Sequence, residues 1–577
     1  MISLRYEVRV HDAAAHLLEV TLVASGNLGA ELTLVMPIWT PGSYLVREHA
    51  RAVEAIEATT DGGPVAVRKT RKSAWKVHTG DATTVTVRWV LYANDCSVRT
   101  NHVDPTHAFW TGAATYLFPE GATDVDARVT PIVPPDWAIA TTLPAADDDP
   151  RAFVATSIEL LVGSPFECGP MAARTFSAGG REHALWVWRS GHEDVVDWAR
   201  MTEDARRVAE TVIRLAGGDD PPPYPRHTTI WHVTPRSRGG LEHDDGSVLS
   251  TPPSAYASRS GWLDAVSLYA HELLHAWNVR RIRPAGLCPT RWETESYTRL
   301  LWWFEGATSY FDWRALRLSG VCTREEWLDH LAGELARLED TPGAAVQALA
   351  DASFDAWIKA YRPDESALLS RVSYYRKGEV VCFLLDLELR ARSGGTRSLD
   401  DVLRWLWDNH GRTREPVPED GMAHVFEQAT GVDVSDLLQA WVERPGVIDP
   451  APTLKRAGLV LERSRLAPPR RATLGLRARP RAGRAVVDVV LRGSPAMRAG
   501  IDAGDELVAI GGRRLDDGLE SALARLPEGG EHEVVLVRDG LLRTVRVTLD
   551  TARPEGGRLV VRGEASAIAE AWLGPAT

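Results

Sequence analysis

Several features that mark common protein classes are scarce in this sequence. It has 5 cysteines in 577 residues, and no two of them have the CxxC spacing of a thiolate metal site or a redox motif. No run of 18 uncharged apolar residues occurs, and the first ten residues lack the apolar segment of a secretory signal. These absences predict reduced cysteines and a cytoplasmic protein that does not span a membrane.

An excess of positive charge is also lacking. Asp and Glu number 78 against 66 Lys and Arg, which gives a formal net charge of -12. Such a surface repels a phosphate backbone, so nucleic acid is not expected as a partner. The hydrophobic fraction of 44% and the charged fraction of 25% are typical of folded proteins. A chain of this length is expected to form several domains.

The apolar pattern changes along the chain and predicts a multidomain α+β fold. The first 160 or so residues show period-two alternation with β-branched residues, as in residues 85–91, which predicts strands. From about Asp194 the apolar spacing becomes three to four residues, which predicts a helical domain, and helices are expected to prevail between about Trp262 and Trp441. Short strands and glycine turns then resume and continue to about residue 552.

A metal-binding motif lies within the helical part. Residues 271–275 read His-Glu-Leu-Leu-His. Histidines four positions apart project from one face of a helix, so His271 and His275 can bind one metal ion. Glu272 points to the side where a water molecule on that metal would lie. The motif predicts a zinc site with Glu272 as the catalytic base.

Catalytic zinc normally takes three protein ligands, so a third ligand is expected. Thirty positions after His275, the segment Trp-Trp-Phe-Glu-Gly places Glu305 among aromatic residues. A buried carboxylate without a partner is costly, and a metal ion would supply that partner. We therefore predict His271, His275 and Glu305 as the ligands of one zinc ion per chain.

These motifs resemble a known family. The His-Glu-x-x-His helix followed by Trp-Phe-Glu-Gly is similar to the gluzincin metallopeptidases, and residues 276–284 (Ala-Trp-Asn-Val-Arg-Arg-Ile-Arg-Pro) resemble the glycyl aminopeptidase family in particular. The segment 37–47 resembles the N-terminal β domain of that family, and residues 473–552 resemble its PDZ domain. The resemblance implies an all-β domain over residues 1–165, a thermolysin-like, mainly helical catalytic domain over 166–455, and a PDZ-like domain over 470–552.

The same resemblance implies a substrate-binding segment. Gly239, Gly240 and Glu242 lie in a stretch similar to the Gly-x-Met-Glu-Asn segment of aminopeptidase N relatives, in which the carboxylate binds the free α-amino group of the substrate. A fixed anion is a suitable partner for an ammonium group, and glycines allow a close approach of the peptide backbone. His243 stands where those relatives have Asn, so its role is left open.

The resemblance also implies an oxyanion donor. Residues 373–378 (Ser-Tyr-Tyr-Arg-Lys-Gly) are similar to the Tyr-x-Lys-Gly segment of the superfamily, whose tyrosine hydroxyl stabilises the tetrahedral oxyanion. The match assigns that role to Tyr375, and Tyr374 is the alternative if the alignment is shifted by one residue. A donor of this kind acts where negative charge develops in the transition state.

These observations predict a zinc-dependent aminopeptidase that acts on peptides with a free N-terminus, and the resemblance implies a preference for small residues such as Gly or Ala. Two alternatives remain open. The chain could be a zinc endopeptidase, in which Glu242 would not bind an amine, or a non-catalytic scaffold that binds peptides through its PDZ domain. The PDZ-like domain could bind the C-terminus of a peptide or could pack on the catalytic domain without a ligand. An intact set of metal ligands together with a base favours the enzyme.

Overall fold

The structure is a computed structural model that describes residues 2–189, 191, 194–463, 472–516, 518–551, 557–561 and 566–574. The N-terminal part consists mainly of strands. They are β1 (Ser3–Asp12), β2 (Leu17–Ser25), β3 (Glu31–Val35), β4 (Val53–Thr60), β5 (Gly63–Val65), β6 (Val67–Arg71), β7 (Ala74–His78), β8 (Thr84–Tyr92), β9 (His102–Asp104), β10 (His107–Thr111), β11 (Phe118–Pro119), β12 (Asp124–Ile132), β13 (Ala138–Thr141), β14 (Ala145–Ala146) and β15 (Asp149–Ser157), followed by helix α1 (Ile158–Val162) and strand β16 (Pro165–Gly169).

These strands form three sheets, with the orders β14-β15-β12-β1-β2-β8-β4-β5, β13-β16-β10-β9 and β11-β3-β7-β6. Alternate residues of β1 and β8 are buried, as the period-two pattern predicts. Strand β16 pairs with β10 and β13, and Phe166 and Cys168 belong to the same apolar core as β1. The N-terminal β structure therefore continues to Gly169.

A second group of elements holds the metal-binding motif. It comprises β17 (Ala172–Ala178), β18 (Arg181–Arg189), α2 (Trp198–Gly217), β19 (Arg226–Val233), β20 (Gly239–His243), β21 (Gly246–Thr251), α3 (Arg259–Leu274), a π-helical turn (Trp302–Ala307) and α4 (Thr308–Leu318). The strands form a sheet with the order β17-β18-β19-β21-β20, so β20 is an edge strand. Helices α2 and α4 pack against α3.

The remaining helices are mostly short. They are α5 (Arg324–Glu339), α6 (Leu349–Phe354), α7 (Ala367–Ser370), α8 (Arg376–Arg392), α9 (Leu399–Leu406), α10 (Met422–Thr430), α11 (Ser435–Leu438) and α12 (Ala451–Arg456). Helix α8 is almost wholly buried and packs against α5 and α12. A Ser398–Asp401 capping box starts α9.

The C-terminal part returns to strands. It contains β22 (Leu459–Arg463), β23 (Ala472–Thr473), β24 (Leu476–Arg481), β25 (Arg484–Val490), α13 (Pro495–Arg498), β26 (Glu506–Ile510), β27 (Arg513–Arg514), α14 (Leu519–Leu523), β28 (Glu531–Arg538), β29 (Leu541–Thr548), β30 (Asp550–Thr551), β31 (Gly557–Val561) and α15 (Ala567–Leu573). Strands β24-β25-β26-β28-β29 form one sheet, and its core includes Leu474, Leu507 and Leu536. Residues 470, 471, 517 and 552, which belong to the predicted PDZ-like range, lie outside the described residues.

The contacts divide the chain into two compact units. The first unit contains residues 1–323, 397–432 and 574–577, and the second contains residues 324–396 and 433–573. The three domain boundaries given above therefore remain a prediction. The multidomain α+β fold class, with a β-rich N-terminal part, a helical part and a β-rich C-terminal part, is confirmed. None of the described helices is long and apolar enough to cross a membrane.

Candidate active site

Helix α3 presents both histidines of the motif. Ser258 caps its first turn by accepting a hydrogen bond from the N–H of Gly261. His271 lies in the last turn, and His275 is the first residue after the helix, with helical backbone angles. Both imidazoles are buried, and the Nε2 atom of each lies 3.3 Å from Oε2 of Glu305. The structure therefore brings the three predicted metal ligands together.

Glu305 is supplied by the π-helical turn at the start of α4. The turn Trp302–Ala307 is buried throughout and continues directly into α4. Single π-helical turns within helices occur frequently at functional sites. The aromatic residues around Glu305 anchor the turn in the core, so the carboxylate faces the two histidines rather than solvent.

Each histidine is oriented by a hydrogen bond from its other ring nitrogen. His271 Nδ1 lies 2.9 Å from Oδ2 of Asp312, and His275 Nδ1 lies 2.7 Å from the carbonyl oxygen of Asn278. Because the carbonyl oxygen can only accept, Nδ1 of His275 carries the proton and its Nε2 lone pair remains for a metal ion. We assign the same tautomer to His271. Asp312 is not among the residues predicted from the sequence, although its position seven residues after Glu305 places it on the same helical face.

The charges at this cluster favour a cation. Burial raises the pKa of Glu305, but the nearby His275 and the hydrogen bonds to both histidines outweigh burial and lower the pKa to about 2. Burial opposes protonation of His271, but its hydrogen bonds to Asp312 and Glu305 raise its pKa well above the usual value. Two imidazoles and one carboxylate at this spacing form the donor set of a catalytic zinc site. The residues therefore fit a zinc ion.

Glu272 lies beside this cluster and has the properties of a general base. The side chain is buried, and within the described residues its Oε2 atom has no hydrogen-bond partner. Burial raises the pKa of Glu272 to about 7, with a further contribution from the nearby charges of Glu242 and Glu305. A pKa near the working pH suits a group that must first accept and then release a proton.

Glu242 faces the same space from edge strand β20. It is buried, and one of its carboxylate oxygens lies within 4.8 Å of an oxygen of Glu272 and of a ring nitrogen of His275. Burial raises the pKa of Glu242, while His275 and Arg280 favour its charged form. Gly42 covers this carboxylate from the N-terminal β part, since a Cβ atom on Gly42 would lie 2.5 Å from both of its oxygens.

The two glycines of β20 allow a close approach to Glu272. A Cβ atom on Gly240 would lie 2.1 Å from Oε1 of Glu272. Gly239 has a φ of +139°, which side-chain-bearing residues rarely adopt. The close approach of backbone and base thus requires glycine at position 240, and the backbone conformation favours it at 239.

His243 is part of the packed interior of the protein. It is buried, and its Nδ1 forms a hydrogen bond with the carbonyl oxygen of Gly163. Burial and the charge of Arg280 lower the pKa of His243 to about 3, so the ring is neutral. As a strand neighbour of Glu242 it points to the opposite face of the sheet. These contacts describe a packing role for the residue whose function the sequence left open.

Tyr375 belongs to the second compact unit, at the N-cap position of α8. Its side chain is half-buried, and its hydroxyl lies 3.4 Å from that of Tyr361. Tyr374 is 1% exposed. The more accessible Tyr375 is therefore the better candidate of the two for contact with a substrate, and its role as oxyanion donor remains a prediction.

Comparisons with known proteins decide the family. Residues 5–170 match the Peptidase M61 N-terminal domain, residues 264–381 match the M61 glycyl aminopeptidase domain, and residues 486–538 match a PDZ domain. A solved structure of an aminopeptidase N family protein from Idiomarina loihiensis has 28% sequence identity and a TM-score of 0.93, covering 100% of both chains. The chain belongs to the M61 glycyl aminopeptidase family. It is a metallopeptidase with a C-terminal PDZ domain, as the sequence predicted.

Two further structures share less with this M61 peptidase. An M1 zinc metallopeptidase from Deinococcus radiodurans has 14% identity and a TM-score of 0.45, covering 78% of this chain and 95% of its own. Native yeast LTA4 hydrolase has 13% identity and a TM-score of 0.44, covering 78% and 68% respectively. No sequence among the curated proteins matches the chain.

Proposed function

We propose that this M61 peptidase is a zinc aminopeptidase that removes small N-terminal residues, such as Gly or Ala, from peptides. The observation that carries this proposal is the shared location of five buried side chains with distinct chemistry. The Nε2 atoms of the two histidines meet the Glu305 carboxylate, and the base Glu272 and the anion Glu242 adjoin them.

The residues have separable tasks in this reaction. Glu242 binds the substrate ammonium group, because a buried carboxylate is the charge-complementary partner of that group. This contact places the first peptide bond, rather than an internal one, at Glu272. Glu272 accepts a proton from the attacking water and passes it to the leaving amine. Tyr375 is proposed, by resemblance, to donate a hydrogen bond to the carbonyl oxygen as negative charge develops.

His271, His275 and Glu305 would hold the zinc ion. A zinc ion in this donor set lowers the pKa of a water molecule towards neutrality and polarises a carbonyl group. Asp312 and the carbonyl of Asn278 hold the two imidazoles in the tautomer that this binding requires.

The aminopeptidase assignment is tested with free and N-acetylated forms of one Ala-initiated peptide, with the products followed by mass spectrometry. Acetylation removes the positive charge and leaves Glu242 buried against a neutral group, so we expect cleavage of the free-amine form alone. Glu242→Ala should lose this activity and keep its metal. Equal cleavage of both peptides, or internal cuts as first products, would establish the endopeptidase alternative.

Metal content is the second test. The purified protein should contain about one zinc ion per chain, and the ion should be lost in His271→Ala, His275→Ala and Glu305→Ala. Glu272→Gln serves as the matched control, because the amide preserves the shape of the side chain. That variant should keep its zinc and lose nearly all turnover. Full zinc occupancy in Glu305→Ala would identify a different third ligand.

We also propose that the PDZ domain binds the C-terminus of peptides. A groove of about 1070 Å³ is lined by Leu474, Leu476, Leu519 and Leu523 and runs beside β24, an edge strand of its sheet. A peptide can add to such an edge by main-chain hydrogen bonds while its last side chain enters the apolar groove. Fluorescence anisotropy with labelled peptides that end in a free or an amidated carboxyl group tests this, and equal binding of both contradicts it.

A further inference from the structure

Arg99 belongs to the N-terminal β part, but its side chain reaches Gly240, the glycine that lies against Glu272. It is in the loop between β8 and β9, where two hydrogen bonds fix its backbone. The N–H of Arg99 donates to Oγ of Ser97 at 3.2 Å, and Oγ1 of Thr40 donates to the carbonyl oxygen of Arg99 at 3.1 Å. Thr40 belongs to the same segment as Gly42, which covers Glu242. The loop is therefore held in place at the substrate site.

The guanidinium of Arg99 contacts both glycines of β20. Its Nη2 donates to the carbonyl oxygen of Gly240 at 2.9 Å, and Nη1 lies 3.5 Å from the position of a Cβ atom on Gly239. In the part of the chain that the structure describes, no Asp or Glu side chain pairs with Arg99, and its buried Nε has no hydrogen-bond partner. A half-buried cation without a counter-ion at a substrate site indicates an anionic ligand.

Three groups follow one another along this edge strand. Glu242 would bind the amine, Glu272 lies against Gly240, and Arg99 lies at the carbonyl of Gly240 and beside Gly239. Glu242 and Gly240 are two residues apart, which corresponds to about 6.6 Å along a strand. A dipeptide spans about 7 Å and a tripeptide about 10 Å between its termini. The backbone position that carries Glu242 and the glycine that Arg99 contacts are therefore separated by about the length of a short peptide, whose two ends are charged.

Arg99 also limits longer substrates. A peptide that adds to an edge strand needs the outward carbonyl groups of that strand as acceptors. Because Arg99 already donates to the carbonyl of Gly240, a continuing main chain would compete with it at this point. A carboxylate, in contrast, would bind the guanidinium through two parallel hydrogen bonds.

We propose that Arg99 binds the C-terminal carboxylate of the substrate and thereby makes di- and tripeptides the preferred substrates. This inference rests on the aminopeptidase function proposed above, because it assumes that Glu242 holds the other end of the peptide. Arg99 is a substrate-binding residue in this assignment and takes no part in proton transfer.

The test compares Ala-Ala-Ala with its C-terminal amide, using the full-length zinc-loaded enzyme. Hydrogen bonds to charged groups contribute enough that kcat/KM should be about tenfold to a hundredfold higher for the free acid. Arg99→Gln should abolish this ratio by lowering activity on the acid alone. Arg99→Lys keeps the charge without the paired donors and should retain part of the ratio.

Arg238→Gln is the matched control, since Arg238 is exposed and directly precedes Gly239. It should leave the ratio of acid to amide unchanged. Equal cleavage of acid and amide by the wild-type enzyme would overturn the inference, as would a ratio that depends on Arg238 instead of Arg99. Failure of the aminopeptidase function would show itself separately, as equal cleavage of free and N-acetylated peptides.

Discussion

Three buried glutamates in one site differ in pKa because their neighbours differ. Two imidazoles surround Glu305 and lower its pKa to about 2. Burial and the adjacent carboxylates raise the pKa of Glu272 to about 7. The pKa of Glu242 is also raised, chiefly by burial. These environments suit a permanently charged metal ligand and a base that exchanges protons near neutrality. An ammonium group would favour the charged form of Glu242.

At the residue scale, the first prediction concerns Asp312. Asp312→Ala removes the acceptor for Nδ1 of His271 and should lower zinc affinity about tenfold to a hundredfold, because the ring loses its fixed tautomer and orientation. Competition with a chromophoric chelator measures this. Asp400→Ala is a matched control, since Asp400 pairs with Arg314 on the same helix as Asp312. Unchanged affinity in Asp312→Ala would show that His271 is oriented by other contacts.

The second prediction at this scale concerns the oxyanion donor. Tyr375→Phe should lower kcat on the order of a hundredfold with little change in KM, because the hydroxyl acts mainly in the transition state. Tyr374→Phe is the comparison, and its buried position predicts a small kinetic effect. Steady-state kinetics on one Ala-initiated substrate decides between them. The reverse pattern would assign the role to Tyr374.

At the scale of elements, strand β20 and helix α3 are complementary at one point. The absence of a side chain at Gly240 creates the space that Glu272 occupies. Because β20 is an edge strand, none of the described strands pairs with its outer side, where Arg99 donates to the carbonyl of Gly240. One short strand thus determines the position of Glu272, and in the proposed function it also positions the substrate.

Gly240→Ala tests this complementarity. The added methyl group would lie 2.1 Å from Oε1 of Glu272, so the side chain of the base must move. A displacement of about 1 Å at a reacting group can cost about a hundredfold in rate. We therefore expect a large loss of kcat with zinc content and unfolding temperature nearly unchanged. Gly446→Ala is the control, because a Cβ atom there meets open space. Retained turnover in Gly240→Ala would mean that Glu272 has a second productive position.

The N-terminal β part contributes residues to the candidate active site. Gly42 covers the Glu242 carboxylate, and Arg99 binds the carbonyl of Gly240. A buried network reinforces this arrangement, since the carboxylate of Glu167 binds His107 at 2.8 Å and His232 on β19 at 2.7 Å. The N-terminal β part is therefore a component of the peptidase site and does not act only as a separate module.

Helix α15 packs against α5 and α8 within the second unit. Trp572 on α15 is fully buried, with its ring centre 4.3 Å from that of Trp327 on α5 and 5.4 Å from that of Phe383 on α8. Trp572→Ala should cost about 3–5 kcal/mol of stability, because it leaves a large cavity. Thermal unfolding measures the loss. Glu570→Gln, which removes only an exposed ion pair with Arg324, should leave the midpoint unchanged. If Trp572→Ala unfolds at the same midpoint temperature as the wild-type protein, α15 contributes little to stability.

The sequence predicted the metal ligands and the base, which stay predictions, and it predicted the family, which the comparisons confirm. His271 and His275 are four positions apart on one helix, so local geometry alone places them together. Glu305 was predicted from chemistry alone, because a carboxylate buried among aromatic residues needs a partner. The strand and helix periodicities likewise reflect local burial, and they predicted the β-rich N-terminal part and the helical part.

Only the tertiary structure revealed Gly42, Arg99 and Asp312 at the site. Gly42 meets Glu242 across 200 positions of sequence, and Arg99 meets Gly240 across 141. No periodicity encodes such pairings, because they depend on how separate elements pack rather than on the repeat of one element. The tautomers of the histidines and the pKa values of the three glutamates were decided in the same way, since burial and neighbouring charges exist only once the chain has folded.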